Sequence, residues 1–202
     1  KDFDDAVSFT PINKTKHKVS IYIANVYVWM DMLNLWSSFT TRISTIYLPD
    51  KKRPMLPTIL SDTLCSLEEG VTRFAVALDL YVDNNGNIVK YDFHNVSICV
   101  NKNYVYEEPS LLQWKDYYYL YDIISMMNRK INYVQNFSDS HDVVAYTMIL
   151  TNYLSAVELK KYKQGIFRGV EIGEVNTISV DLPSDVLKVL RVYQTNGGIY
   201  TL

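Results

Sequence analysis

Three carboxylates stand within four positions at the start of the chain, in Lys1-Asp2-Phe3-Asp4-Asp5-Ala6-Val7. An extended backbone sends Asp2 and Asp4 to one side and Asp5 to the other, whereas a turn brings all three together. Convergent carboxylates repel one another. A hard divalent cation such as Mg²⁺ removes that cost, because carboxylate oxygens are the donors it prefers. Two such ions activate water and stabilise the leaving oxygen in phosphodiester hydrolysis. The same spacing also fits a solvated acidic start, since chain termini are often polar and mobile.

Few other residues compete for a chemical role. His17, His94 and His141 are far apart and share no partner spacing, and His94 in an alternating strand reads as a satisfied structural residue. His17 with Lys14, Lys16 and Lys18 reads as a solvated hairpin end. Lys51-Lys52-Arg53, on a proline-rich loop, is the better basic run for a phosphate backbone. Cys65 and Cys99 lack CxxC or His spacing, which disfavours a zinc site or a disulfide framework. No Ser/His/Asp arrangement, phosphate loop or dinucleotide fingerprint occurs.

The elements that must position the carboxylates follow from patterning. Val19, Ile21 and Ile23 alternate within residues 17–28, a strand signal. Met32, Leu33, Leu35, Trp36 and Phe39 fall at helical spacing within Met30 to Thr41. Pro49, Pro54 and Pro57 forbid a helix and predict a long extended loop over residues 47–57. Leu60, Leu64 and Leu67 mark a short helical turn. Two alternating runs, Val71 to Val82 and Asn87 to Val100, flank Asp83-Asn84-Asn85-Gly86 and predict a β-hairpin. Helices are expected from Glu107 to about Val134, with Pro109 in the first turn, and from Asp139 to Tyr162. Residues 166–182 read as strand or loop, and Pro183 to Val192 as a short helix with Asp181 as its cap. Strands first and helices later argue for an α+β fold, a mixed or antiparallel sheet with a hairpin, packed by several long helices.

Composition suits one folded domain over residues 1–202: 48% of residues are apolar, 21% charged, and the net charge is −2. Mean hydropathy is −0.07 and no apolar run reaches the ~18 residues that cross a bilayer. No membrane partner is expected, and a reduced intracellular compartment is. A pI near 5.9 argues against nonspecific attraction to nucleic acid, so any such role rests on local patches. The 17 tyrosines against 7 glycines suit both stacking surfaces and an AT-rich coding bias.

As a set, the segments resemble the catalytic RNB domain of the RNase II/RNase R exoribonuclease family. The matching strings occur in family order: Asp2-Phe3-Asp4-Asp5-Ala6, Tyr22-Ile23-Ala24-Asn25-Val26, Ile46-Tyr47-Leu48-Pro49-Asp50 and Pro54-Met55-Leu56-Pro57. Leu60 to Leu67, Gly70-Val71-Thr72-Arg73, the hairpin from Asp83 to Val89, Tyr104-Val105-Tyr106-Glu107 and Met148-Ile149-Leu150-Thr151-Asn152 complete it. The resemblance implies hydrolysis of single-stranded RNA from its 3′ end to nucleoside 5′-monophosphates, with Mg²⁺ or alternatively Mn²⁺. It implies Asp2, Asp4 and Asp5 as metal ligands, with Asp4 and Asp5 catalytic, and Tyr47 and Tyr106 as substrate contacts. From the residues alone, Tyr47 on its proline loop and Tyr106 at a strand-to-helix junction read as well as packed structural tyrosines. A DxDD box also occurs in class II terpene cyclases, but those are large and all helical, which the strand-rich stretch here disfavours.

The departures favour an alternative, a degenerate RNB-like domain that binds RNA or a protein without cutting. Ala145 and Tyr146 stand where the family has a Glu pair, and Tyr22 and Asn25 replace a His and an Asp. The chain stops at Leu202 near where the family continues into an arginine-bearing loop that would stabilise phosphate charge. A partial RNB domain is therefore expected, with flanking oligonucleotide-binding modules missing.

Overall fold

The computed structural model describes residues 3–38, 45–106, 108–170 and 198–201. Asp2 and the segment 171–197, which contains the expected helix from Pro183, lie outside the described residues. The chain divides into two compact units, residues 1–151 and 152–202.

In the first unit, β1 (Asp5–Pro11), β2 (Lys16–Ala24), β5 (Thr72–Asp83) and β6 (Ile88–Cys99) form an antiparallel sheet in the order β1-β2-β5-β6. Its two faces differ because side chains alternate along each strand. Val19 opposite Leu80 and Ile21 opposite Leu78 make the core face, all four at most 1% exposed. The other face carries Ser20 opposite Asp79, and Asp79 also receives Lys18 at 3.3 Å. Helix α2 (Lys115–Lys130) lies against β1, burying Leu120, Ile123, Ile124 and Met127. These sit three or four positions apart on one helix stripe.

Helix α3 (Ser140–Lys161) begins with a reciprocal cap. Asp142 N–H donates to the Asp139 carboxylate, and Asp139 N–H donates to that of Asp142. The connection between α2 and α3 is pinned by the buried Asn128, whose amide exchanges two hydrogen bonds with the backbone of Val134.

The hairpin β5–β6 turns at Gly86, in the left-handed region at φ 76°. Several expected elements are shorter than their patterns. The first helix, α1 (Val26–Met32), starts where the expected strand was to continue, because Asn25 caps it through Val28 N–H. It stops before Asn34 at φ 50°, and the apolar residues beyond it do not extend it: Leu33 is 49% exposed and Trp36, in a 3₁₀ turn, 48%. Residues 47–57 are not wholly extended loop, since β3 (Ile46–Tyr47) and β4 (Lys52–Arg53) pair antiparallel. The helix expected from Glu107 begins only at Lys115, after a 3₁₀ turn at Leu111–Gln113.

Leu60–Leu64 forms one π-helical turn, and a small second core joins Met30, Leu60 and Cys65. In the second unit, β7 (Phe167–Val170) pairs antiparallel with β8 (Gly198–Thr201). No helix among the described residues is long and apolar enough to cross a membrane.

Candidate functional site

The acidic start is held in place. Phe3 N–H donates to Ser66 Oγ at 3.2 Å, Leu67 N–H donates to the Phe3 carbonyl at 2.8 Å, and Ala24 N–H to that of Asp4 at 2.9 Å. The Asp4 backbone is thus tied to β2 while the residue itself stays exposed, and Asp5 is the first residue of β1, opposite Ile23.

The segment that faces it is fixed by the same loop. Glu69 N–H donates to Asn103 Oδ1 at 2.7 Å, Asn103 N–H returns a bond to the Glu69 carboxylate at 3.2 Å, and Asn103 Nδ2 donates to the Leu67 carbonyl at 3.0 Å. Arg73 Nε steadies the loop through the Ser66 carbonyl at 2.9 Å. Residues 66–69 thus tie the carboxylates on one side and Tyr104 and Tyr106 on the other to a single piece of backbone.

Between them opens a groove of about 1010 Å³, whose lining includes Asp4, Asp5, Tyr22, Lys102, Tyr104, Tyr106, Trp114 and Tyr117. Burial, and then the negative charge of Asp4, push the Asp5 carboxyl above its ordinary value. Asp4 also raises the thiol of buried Cys65, after burial itself. Burial and the Asp5 charge push the Tyr106 hydroxyl up, so it remains a protonated donor. The Tyr106 ring is stacked on His141 in the first turn of α3, with centroids 3.8 Å apart and planes at 12°.

Of the residues expected from the sequence, Asp4, Asp5 and Tyr106 meet in this groove. Tyr47 lies in β3, paired with Lys52, and its side chain lies outside the described residues, as does Asp2. Lys52 reaches Asp62 at 3.4 Å and the 51–53 run does not line the groove. His94 approaches Asp79 at 3.7 Å, as a structural histidine would. His17 bonds Asn84 at 2.8 Å and stacks on Phe9. Trp114, which belongs to a helical apolar pattern in the sequence, is instead half-exposed on the groove wall. Tyr146, at the place expected for a Glu, is 1% exposed with its ring 5.5 Å from that of Tyr133, and burial pushes its hydroxyl up to about 12. Asn25, at the place expected for an Asp, donates to Asn95 at 3.0 Å while capping α1.

Among the described residues no three His, Cys, Asp or Glu side chains are grouped to hold a metal ion. Asp4 and Asp5 nevertheless both line the groove, and the Asp5 carboxyl is raised by burial and then by the Asp4 charge, a cost that a hard cation would relieve.

An antiparallel sheet with α2 packed against β1 and an acidic, tyrosine-lined groove beside it defines an α+β domain. The RNB domain profile matches residues 1–115, and the chain belongs to that family. Ribonuclease R of Mycoplasmopsis pulmonis is 31% identical over 155 residues, covering 76% of this chain and 19% of that protein. The chain thus spans about a fifth of that curated relative. Among solved structures, Mycoplasma genitalium RNase R in complex with ribose methylated single-stranded RNA is similar with a TM-score of 0.72 and 16% identity, covering 100% of this chain and 42% of that one. Yeast Ssd1, a pseudonuclease, has a TM-score of 0.69 at 14% identity, over 83% of this chain and 25% of its own.

Proposed function

We propose that this chain contributes the active groove of a metal-dependent hydrolytic 3′→5′ exoribonuclease that acts on single-stranded RNA and releases nucleoside 5′-monophosphates. The observation that carries the reading is the juxtaposition of Asp4 and Asp5 with Tyr106 in one groove, at the strand start where the family match begins. Asp4 and Asp5, with Asp2, would hold Mg²⁺ or Mn²⁺. When bound there, a divalent cation would neutralise the carboxylates and supply Lewis acidity at a phosphate oxygen. Tyr106 offers a neutral hydroxyl beside Asp5 and a ring for stacking, and its backing by His141 leaves one ring face for a base. Stacking tolerates any base and contributes roughly 1–3 kcal/mol per base, which suits an enzyme that steps along RNA.

A second reading, an RNB fold that binds RNA without cutting, is favoured by the burial of Tyr146 where the family would place a carboxylate. Incubating the protein with Mg²⁺ and 5′-labelled single-stranded RNA separates the two. A ladder that shortens from the 3′ end and is lost in Asp5→Asn supports the first reading; tight binding with no shortening supports the second.

A further inference from the structure

A second arrangement in the same groove has no part in the reading above. Lys102 Nζ lies 5.1 Å from the ring centroid of Tyr104 and 5.8 Å from that of Trp114, and the two rings meet edge to face at 6.1 Å. Three side chains from two separate segments therefore hold one another before any ligand arrives. Their backbones are fixed as well. Asn103, between Lys102 and Tyr104, is clamped to Leu67 and Glu69, while Trp114 donates to the Leu111 carbonyl at 3.2 Å and accepts from Tyr118 N–H at 3.0 Å. Trp114 is 49% exposed, which leaves much of a large ring to the groove.

This cluster is electrostatically distinct from the carboxylate pair. The Tyr104 hydroxyl is raised by burial and then by Glu108 and Glu69, whereas Asp5 is the charge felt at Tyr106. Tyr104 and Tyr106 are two residues apart, so their Cα atoms are separated by at most about 7 Å. A strand whose end lies at Asp5 and Tyr106 would meet Trp114 with one of its next nucleotides.

We propose that Lys102, Tyr104 and Trp114 form a nucleotide-binding subsite that stacks a base of single-stranded RNA on Trp114 and places a phosphate at Lys102, upstream of the end held at Tyr106. The proposal rests on the groove being the RNA channel of the preceding reading. Lys102 is a single positive charge with Glu108 acting on it, so stacking carries more of the binding than charge does. A ring held by the edge-to-face contact with Tyr104 is a pre-positioned platform for a base.

The test is fluorescence anisotropy of the protein, in EDTA to prevent cleavage, with labelled single-stranded RNA of about 10 nucleotides and with a labelled dinucleotide. Trp114→Ala is expected to weaken the longer RNA by about 5- to 100-fold and to leave the dinucleotide unchanged. Trp114→Phe should recover most of that loss. Lys102→Gln should weaken the longer RNA less, and flatten its log affinity against log salt by about 0.7, the share of one single-strand phosphate. Equal affinity of the wild type and Trp114→Ala for the longer RNA overturns the subsite while leaving the groove reading intact. Failure of the wild type to bind either RNA overturns both. A uniform loss for both RNAs in Trp114→Ala and in Trp114→Phe, with altered circular dichroism, assigns Trp114 to folding and overturns the subsite.

Discussion

Asn103 and Glu69 bind each other twice, backbone to side chain in both directions, at 2.7 and 3.2 Å. The pair closes the same loop that anchors Phe3, so the carboxylate strand and the tyrosine segment share one support.

Asn103→Ala removes the two side-chain hydrogen bonds, both to backbone groups, and keeps the one its own N–H donates to Glu69. A loss of about 1–3 kcal/mol in stability is expected from denaturant titration, because the groups are partly exposed and water replaces some bonds. RNA affinity should fall while Asp4 and Asp5 keep their place. Unchanged affinity together with unchanged stability would remove the loop from the account of the groove.

Asp5→Asn tests the charge at the strand start. The folded-state carboxyl is raised above its ordinary 3.8, so the folded protein holds this proton more tightly than the unfolded chain does. Stability from this group is therefore highest below pH 3.8 and falls as the pH rises through the raised value. At neutral pH the penalty is complete, and the asparagine relieves it. A Tm rise of up to about 2–4 °C is expected at pH 7, with no difference in strong acid, solvent screening of this half-buried group setting that ceiling. Added Mg²⁺ should raise the Tm of the wild type and not of the variant. An equal Mg²⁺ response in both proteins would count against a cation at Asp4 and Asp5.

Tyr146→Glu restores the residue type of the family pattern in a place that cannot hold it. The side chain is 1% exposed against Tyr133, so the change removes ring packing and buries a carboxyl without a designed partner. A loss of about 3–5 kcal/mol is expected, at least that of deleting a large buried ring. Urea unfolding within 1 kcal/mol of the wild type, an estimate at the level of an ordinary surface change, would show that the helix face is open to a carboxylate.

Gly86→Ala probes the hairpin turn. At φ 76° an added Cβ would lie 3.0 Å from Met126 Cβ and 3.0 Å from the backbone nitrogen of Met127. Strain at the turn and crowding against α2 should together cost about 1–3 kcal/mol, read as a lower urea midpoint. A neutral result would mean that the turn and α2 separate easily.

Much of the frame was legible because it rests on local periodicity. The hairpin was readable from alternating runs around Asp83 to Gly86, and the helix expected from Asp139 to Tyr162 is α3, at Ser140–Lys161. Helix ends were less legible. Leu35 and Trp36 continue a helical pattern past the point where Asn34 turns the chain left-handed, and periodicity does not register a single positive φ. Trp114 shows the same limit, since an apolar residue on a groove wall and one in a core have the same place in the pattern.

The sequence by itself determined the α+β order, the RNB family and the acidic residues at Asp4 and Asp5, since these depend on residue type and spacing along the chain. Only the tertiary structure decided that Asp5 faces Tyr106, that His141 backs that ring, and that Lys102 joins Trp114. Those pairs are brought together by loop 66–69 and by the starts of α2 and α3 at the groove. Contacts between residues 12 to 101 positions apart along the chain follow from how the elements dock, and no local pattern carries that information.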